Sequence, residues 1–219
     1  MHESTMVRME WFVQTFCNYK QKTPIKILDV GSYDVNGSYK QFFYDERFMY
    51  TGLDMSKGPN VDIFVKNPYC WDEVPDNDYD IVISGQAFEH IEFPWITIKE
   101  IARVTKPGGF VCIISPRGQG IHRYPVDTFR YDVDGMIALA KYSGLEPVHV
   151  STNLAPKNAP VSWYSGFQDC MFVGRRTLSK FIIDEYKYVP VDIRVLSTDF
   201  IPLEFQPYYK NIILERYSL

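Results

Sequence analysis

The segment from Lys26 to Tyr39, KILDVGSYDVNGSY, constrains the fold more than any other stretch of the chain. Its apolar run, Ile27 to Val30, predicts a buried strand that stops at Gly31, and the polar turn behind it predicts a helix that opens near Ser38. Such a turn presents free backbone N–H groups and the positive end of a helix dipole beyond the carboxyl end of the strand. The segment therefore predicts a ligand site.

The glycines of this turn do not identify the ligand. Gly31 allows a ligand to approach the backbone closely, and the Asn36-Gly37 pair tolerates positive φ. A dinucleotide fingerprint would need glycines at positions 31, 33 and 36, but Tyr33 and Asn36 stand at two of them. The turn has to be interpreted together with the segments that follow it.

The rest of the chain alternates short apolar runs with helical patterns up to residue 115, which is typical of parallel strands joined by right-handed crossovers. We predict an α/β fold with a doubly wound, Rossmann-like, mostly parallel seven-stranded sheet, an antiparallel last strand and helices on both faces. The predicted strands after the first are Tyr50–Met55, Val61–Val65, Ile81–Ser84, Phe110–Ser115, Leu145–Ser151 and Asp169–Gly174. The predicted helices are one capped by Ser4 or Thr5, one from Trp95 to Val104 that breaks at Pro107-Gly108-Gly109, and one from Asp132 to Ser143.

Composition restricts the class of protein. The chain has 219 residues and a net charge of −4, so it can form one sizeable core and no nucleic-acid partner is expected. Four widely spaced cysteines in or beside apolar segments predict reduced thiols, and no signal or membrane-spanning pattern is seen, so a cytoplasmic location without membrane contact is expected. We predict one domain over residues 1–175 and an aromatic extension over 176–219 that packs on it or at the interface of a homodimer.

Two segments after the first strand fit the adenosine half of a cofactor. Asp54 ends the second predicted strand 23 residues beyond Gly31, where a carboxylate can accept both hydroxyls of a ribose. The loop Lys66-Asn67-Pro68-Tyr69 follows the third strand and is suited to covering an adenine ring. A solvated loop aspartate is the alternative interpretation of Asp54.

Two further strand-end loops carry candidate catalytic groups. His90 follows the fourth strand, and His122 and Asp127 follow the fifth, so each could lie at the same sheet edge. Each also has a structural interpretation, because Glu89-His90 could cap a helix and Asp127 could pair with Arg130 three residues on. No cluster shows metal-ligand spacing, so no metal site is predicted, and a magnesium-dependent mechanism is disfavoured but stays open.

Taken together, these segments resemble the class I S-adenosylmethionine-dependent methyltransferases of type 11. ILDVGSYDVNGSY is similar to the cofactor loop of that family, YTGLDM to its ribose-binding segment, YDIVISGQAFEHI to its fourth-strand segment and ARVTKPGGFVCIISP to its fifth. HRYPVDTFRY is similar to a His-x-x-Pro-x-Asp-x-Trp-Arg-Phe segment of members associated with cell-surface glycan assembly, with Phe129 and Tyr131 in place of the Trp and the Phe. The chain also resembles methyltransferase domains that accompany viral glycosyltransferases, whose acceptor is a deoxyhexose such as rhamnose.

The resemblance implies transfer of a methyl group from S-adenosyl-L-methionine to a hydroxyl of a saccharide, with S-adenosyl-L-homocysteine as product. His90, His122 and Asp127 are the implied catalytic residues, with an acceptor pocket built from residues 122–131 and Trp163-Tyr164. The residues expected to bind the cofactor are Gly31, Ser32, Tyr33, Asp54, Met55, Asn67, Gly85 and Gln86.

Other functions remain open at this point. A nicotinamide-dependent oxidoreductase also places an acid after its second strand, although the triple-glycine pattern is missing. A methyltransferase acting on RNA or on another small molecule, and a non-catalytic binding module that keeps the cofactor fold, are the remaining alternatives.

Overall fold

The computed structural model describes residues 2–17, 24–152 and 168–177. Its helices are α1 (Glu3–Phe16), α2 (Pro94–Val104) and α3 (Val133–Ser143), with single 3-10 turns at Tyr39–Phe42 and Phe88–His90. Its strands are β1 (Ile25–Val30), β2 (Phe48–Asp54), β3 (Ile63–Phe64), β4 (Tyr79–Gly85), β5 (Thr105–Ser115), β6 (Leu145–Ser151) and β7 (Cys170–Arg176).

The strands form one sheet in the order β3-β2-β1-β4-β5-β7-β6. β1 to β5 pair in parallel, and β7 runs antiparallel to both of its neighbours. The predicted fold class is therefore confirmed, including the antiparallel last strand. β7 continues to Arg176, two residues beyond the predicted end of the last strand.

Both faces of the sheet are covered by helices, because successive side chains of each central strand point to opposite sides. Ile27 and Ile81 are buried in the cluster that receives Met9 and Phe12 of α1. Neighbouring strand residues such as Leu28 are buried in the opposite cluster, to which α2 and α3 contribute. This doubly covered sheet leaves the carboxyl ends of β1, β2 and β4 as the edge where loops meet.

The predicted helix near Ser38 is wrong, because only one 3-10 turn forms there. The Ser38 hydroxyl caps this turn by accepting a hydrogen bond from the Lys40 amide at 3.0 Å. Tyr39 and Phe43 are both buried in the core, and β2 already begins at Phe48. The two anchored aromatic rings and the short connection leave room for no further helical turn.

The predicted helix ends at Val104 as expected, but β5 starts at Thr105 instead of Phe110, so Pro107-Gly108-Gly109 lie inside the strand. Tyr79 of β4 pairs with Thr105 and Ile81 pairs with Phe110, so the intervening residues of β5 bulge out of the ladder. The positive φ of Gly108, 83°, permits this bulge.

The first helix begins earlier than predicted, with His2 rather than Ser4 or Thr5 at its N-cap. The Ser4 and Thr5 side chains are buried inside the first turn, where they hydrogen-bond to Asp169 and Tyr39 respectively. Their hydroxyls therefore join α1 to the body of the protein instead of capping it.

The loop that contains Trp163-Tyr164 and almost all of the predicted extension, 178–219, lie outside the described residues. Within the described residues, no helix has the length and apolar character needed to cross a membrane.

Candidate active site

A cavity of about 890 Å³ opens at the carboxyl ends of β1, β2 and β4. This is the edge where open α/β sheets bind their ligands, and the volume is in the range of small-molecule sites. Seven of the eight residues predicted to bind a cofactor line it, together with both candidate histidines. These are Gly31, Ser32, Tyr33, Asp54, Met55, Gly85, Gln86, His90 and His122.

The loop after β1 is held by hydrogen bonds within the protein. The Gly31 and Ser32 amides both donate to the Leu53 carbonyl, at 2.9 and 3.1 Å, and the Tyr33 amide donates to Asp54. The expectation of free N–H groups at a helix terminus is thus wrong for these residues. Only a 3-10 turn follows the loop, and the Leu53 carbonyl and the Asp54 carboxylate at the end of β2 accept these hydrogen bonds. The loop forms a wall of the cavity through its shape.

Gly31 is needed for two reasons that the structure makes explicit. Its φ is +78°, and a Cβ built there would lie 2.5 Å from the Cβ of Ala87. The glycine therefore lets the loops after β1 and β4 pack against each other, and its packing partner is Ala87 rather than a ligand.

Asp54 ends β2 and faces the cavity. Its Oδ2 accepts from the Tyr33 amide at 3.1 Å and its Oδ1 from the Ser56 amide at 2.8 Å. Burial raises the pKa of Asp54, although the backbone amides of Ser56, Tyr33 and Met55 act in the opposite direction. A carboxylate has about four acceptor positions, so Asp54 is oriented and can still accept a hydrogen bond from a ligand.

Asp29 braces the floor of the cavity from the neighbouring strand. It accepts a hydrogen bond from the hydroxyl of Tyr50, and the same hydroxyl accepts one from Asn60 at 3.0 Å. Asn60 also donates to the Ser32 carbonyl at 3.0 Å. Burial raises the pKa of Asp29 to about 7, with the Asp54 charge adding to the shift and the Tyr50 hydrogen bond opposing it.

The loop after β3 contributes only in part as predicted. Pro68 and Tyr69 line the cavity, and half-exposed Met55 lies on its wall. Asn67 is absent from the lining formed by the described residues, because its side chain accepts a hydrogen bond from the Tyr69 amide at 2.9 Å. Asn67 therefore shapes the turn that presents Tyr69.

A buried carboxylate that the sequence did not point to, Asp169, lies behind two residues that line the cavity, His2 and Gln86. Asp169 accepts hydrogen bonds from Gln86 at 3.1 Å, from His2 at 3.0 Å and from Ser4. Burial pushes the pKa of Asp169 upward, but the His2 and Ser4 contacts and the Arg8 charge outweigh it and hold the pKa below its ordinary value. Only the tertiary fold brings α1, the loop after β4 and the start of β7 together here.

The loop between β5 and α3 is tied to the 3-10 turn after β4. The Thr128 hydroxyl donates to the carbonyls of Glu89 and Ile91, and the Tyr131 hydroxyl donates to that of Phe88. His90 Nδ1 lies 2.6 Å from the Val126 carbonyl oxygen. These contacts bring residues more than thirty positions apart to one end of the cavity.

The two candidate histidines meet at this end. Their ring centroids are 4.9 Å apart in an edge-to-face arrangement. Because a carbonyl oxygen only accepts, His90 Nδ1 must donate to Val126 and His122 Nδ1 to Gly120, at 3.1 Å, which leaves both Nε2 atoms with a free lone pair in the neutral rings. Burial lowers the pKa of His90, with the neighbouring His122 also lowering it.

Glu89 completes this group and was missed as a functional residue, although it precedes His90 directly in the chain. It is fully buried, and its Oε2 accepts from the Ser115 hydroxyl at 2.9 Å. Its Oε1 has no hydrogen-bond partner and lies 3.9 Å from Nε2 of His90. Burial raises the pKa of Glu89 to about 7 despite the Ser115 hydrogen bond. The sequence did offer a signal, because an acid stands beside an imidazole in a strand-end loop. A helix cap was the alternative interpretation of this pair.

Asp127 holds the loop rather than an imidazole. Both of its oxygens bind the Arg130 guanidinium, at 2.5 and 2.8 Å, and Oδ2 also accepts from the His122 backbone amide at 2.7 Å. The His122 ring nitrogen is 3.6 Å away, beyond hydrogen-bond distance. Hydrogen bonding from Arg130 holds the pKa of Asp127 well below its usual range. The geometry agrees with the ion-pair interpretation.

The predicted acceptor segment, residues 122–131, divides into two parts. His122, Arg123, Tyr124 and Pro125 line the cavity. In the second part, Phe129 is 38% exposed and contacts the rings of Trp95 and Tyr131.

Comparison with known proteins concerns the family and the fold. Residues 28–113 match the family model described as a methyltransferase domain, of type 11. Residues 28–113, which run from β1 to β5, are thus similar to a methyltransferase domain, and this similarity supports S-adenosylmethionine as the cofactor. A Schizosaccharomyces pombe protein described as an uncharacterized methyltransferase is 50% identical over 38 residues, which are 17% of this chain and 14% of that protein.

Solved structures agree with the fold. The 1,6-didemethyltoxoflavin-N1-methyltransferase of Burkholderia thailandensis, solved with S-adenosylhomocysteine, has a TM-score of 0.60 at 16% identity over 80% of this chain and 79% of its own. The [4+2]-cyclase SpnF has a TM-score of 0.57 at 15% identity over 80% and 82%. At such identities the likeness concerns the fold, and these two names show that the fold serves more than one chemistry.

Proposed function

We propose that this chain is an O-methyltransferase that uses S-adenosylmethionine and acts on a hydroxyl of a saccharide, with a deoxyhexose such as rhamnose as the favoured acceptor. The observation that carries the proposal is the shared cavity, which is lined by Asp54 on one side and by His90 and His122 on the other. Binding groups suited to a nucleoside and groups suited to a hydroxyl thus face the same space.

The residues of the cavity fit the donor. Asp54 retains lone pairs for the ribose hydroxyls, and Met55 and Tyr69 offer apolar surface for the adenine. Gln86 and the carboxylate of Asp169 behind it are polar groups suited to the amino-acid end. When bound, S-adenosylmethionine supplies a methyl group that is already activated by a positively charged sulfur.

The contribution of the chain is to position the acceptor and to help remove its proton. An unactivated alcohol is a poor nucleophile near neutral pH. The Nε2 lone pairs of His90 and His122 are oriented by the carbonyls that hold each Nδ1, so the imidazole cluster is prepared to assist the loss of the hydroxyl proton. The loop tied down by Thr128 keeps this cluster in place.

Support for a saccharide comes from the segment HRYPVDTFRY and from the surface it forms. Tyr124 is 61% exposed beside the histidines, with Arg123 and Gln119 also lining the cavity. An aromatic face suits the C–H surface of a sugar, and the polar side chains suit its hydroxyls. Within this proposal, residues 1–175 form the catalytic domain, residues 176–219 are an extension, and no nucleic-acid or membrane partner is involved.

The test is incubation of the full chain with isotope-labelled S-adenosylmethionine and a panel of rhamnosides, fucosides, other glycosides, small amines and RNA. We expect label on a sugar oxygen, identified by NMR of the product. The Asp54→Ala variant serves as the matched control and should lose activity through weaker donor binding. Label found only on an amine or on RNA would contradict the proposed acceptor, and failure to bind the donor by calorimetry would contradict the enzyme class.

A further inference from the structure

We infer that Glu89, His90 and His122 bind a divalent transition-metal ion at the acceptor end of the cavity. One possible ligand atom from each of the three residues lies within 4.8 Å of the other two. The sequence prediction of no metal site relied on spacing along the chain, and the contact between the 88–90 turn and the 116–132 loop is what assembles this group.

The first argument is the unpartnered oxygen of Glu89. Its side chain is fully buried, and while Oε2 binds Ser115, Oε1 has no hydrogen-bond partner. A buried polar atom without a partner costs free energy, so native proteins usually satisfy it with a ligand, an ion or water. Oε1 is also the atom that faces His90, at 3.9 Å from Nε2.

The second argument is the state of the two imidazoles. Each donates its Nδ1 hydrogen to a backbone carbonyl, His90 to Val126 and His122 to Gly120. This is the outer contact that metal-binding histidines commonly make, because it fixes the tautomer and leaves Nε2 free to act as a ligand. When Glu89 is ionised, two lone-pair atoms, its Oε1 and Nε2 of His90, therefore face each other across 3.9 Å.

The donor set indicates the class of ion. Two imidazole nitrogens and one carboxylate oxygen suit Zn²⁺, Mn²⁺, Fe²⁺ or Co²⁺, whereas Mg²⁺ and Ca²⁺ prefer oxygen ligands alone. Bonds of about 2.0–2.2 Å at the tetrahedral angle place two ligand atoms about 3.3–3.6 Å apart. The three ligand atoms, which lie within 4.8 Å of one another, therefore have to move closer by up to about 1.5 Å when the ion binds. Three protein ligands leave at least one position open towards the cavity.

The role of the ion rests on the proposed function, although its binding does not. With the acceptor hydroxyl in the open position, the ion lowers the pKa of that hydroxyl, whose proton leaves to water at the mouth of the cavity. The oxygen then forms its bond to the donor methyl carbon as the carbon–sulfur bond breaks and the sulfur keeps the electron pair. The imidazoles act as ligands here instead of as free bases.

The binding test uses the full chain, stripped with EDTA, and Zn²⁺, Mn²⁺ and Mg²⁺ alone. All four cysteines lie in the described residues and Cys70 is the exposed one, so a Cys70→Ser background removes a competing thiol. Calorimetry should give one Zn²⁺ per chain and at least tenfold weaker binding of Mg²⁺. His122→Ala and Glu89→Gln should each weaken Zn²⁺ binding at least tenfold, whereas His149→Gln, a histidine on β6, should leave it unchanged.

Two results would overturn the inference. One is the absence of stoichiometric Zn²⁺ or Mn²⁺ binding by the parent chain, and the other is equal binding by the His122→Ala and His149→Gln variants. His122 is half-exposed on a loop, so its substitution should leave the fold intact, which the unchanged far-ultraviolet circular dichroism spectrum would verify.

Activity separates the two proposals. Loss of saccharide methylation after EDTA treatment, with recovery on adding Zn²⁺ or Mn²⁺, supports both. Stoichiometric binding of Zn²⁺ or Mn²⁺ without any methylated saccharide supports the metal site and contradicts the proposed acceptor. Full methylation in EDTA, without ion binding, contradicts the metal site and assigns proton removal to the imidazoles.

Discussion

Two carboxylates at the ends of neighbouring strands show how strongly local surroundings decide a residue's role. Asp29 ends up buried beneath the loop after β1 and binds Tyr50, whereas Asp54 is half-buried, bonded by two amides and open to the cavity. Both follow apolar runs in the sequence, so the hydrophobic pattern alone does not distinguish a structural carboxylate from one that binds a ligand. The neighbouring loops make that distinction.

For Asp54 we predict a binding defect. Replacement by Asn removes the charge that accepts the ribose hydroxyls, and hydrogen bonds to charged groups contribute about 1.5–3 kcal/mol each. The affinity for S-adenosylhomocysteine should therefore fall by about ten- to a hundredfold in calorimetry. Asp134→Asn, an exposed acid in the first turn of α3, is the matched control and should bind as the parent does. Equal affinity of the two variants for S-adenosylhomocysteine would contradict a binding role for Asp54.

For Asp29 we predict an effect on the pH dependence of stability. Its pKa is about 7 in the folded protein against an ordinary 3.8, so the native state binds more protons than the unfolded state between these values. This group therefore lowers the free energy of unfolding as the pH rises from about 4 to about 7. Asp29→Asn should remove that loss. In urea unfolding, the free energy of unfolding of the variant should therefore rise relative to that of the parent between pH 4.5 and pH 7.5. A constant difference between the two proteins would contradict the assignment.

At the scale of elements, the site is made by contacts between loops. The loop after β1 packs on the loop after β4 through Gly31 and Ala87, and the 116–132 loop is hydrogen-bonded to the 88–90 turn. Each of these loops follows a strand that periodicity predicts. Their mutual contacts depend on which strands become neighbours.

The Gly31–Ala87 contact gives a two-step prediction. Gly31→Ala places a Cβ 2.5 Å from that of Ala87 at a φ of +78°, so overpacking and left-handed backbone strain should together cost about 2–5 kcal/mol. Adding Ala87→Gly removes the clash but not the strain, and should restore part of the lost free energy of unfolding. Urea titration of both variants measures this. The absence of any rescue would mean that the backbone strain alone sets the cost.

At the scale of the whole molecule, α1 is joined to the last strand across almost the entire described chain. Asp169 accepts from His2 and Ser4 of the N-terminal region and from Gln86 at the cavity. Packing of Met9 and Phe12 on the sheet brings these groups together. The integrity of one end of the cavity therefore depends on the docking of α1.

The Asp169 cluster should give a pH dependence opposite to that of Asp29. Because the folded pKa of Asp169 lies below its ordinary 3.8, its contribution to stability is present above about pH 4 and is lost as the pH falls further. Asp169→Asn should cost about 1–3 kcal/mol at pH 7, measured by urea unfolding, and the difference from the parent should shrink at pH 3.5. Equal stability of parent and variant at pH 7 would show that the cluster does not hold α1 in place.

The sequence by itself predicted the sheet, and the resemblance of its motifs to a known family predicted the enzyme class and the donor. The apolar runs that end at Gly31, Asp54 and Gly85 predicted strands whose carboxyl ends share an edge, because burial on both faces leaves a local signature in each strand. The fold class is confirmed, and the methyltransferase and cofactor predictions are confirmed for the domain that residues 28–113 match. The individual site residues stay predictions.

The tertiary structure decided what depends on distant contacts. The helix expected near Ser38 shrank to one turn because Tyr39 and Phe43 are anchored in the core, and Asn67 turned away from the cavity. Glu89, His90 and His122 came together only because the Thr128 segment is tied to the turn after β4. Such groupings carry no periodic signal, since they depend on which loops the sheet order brings side by side.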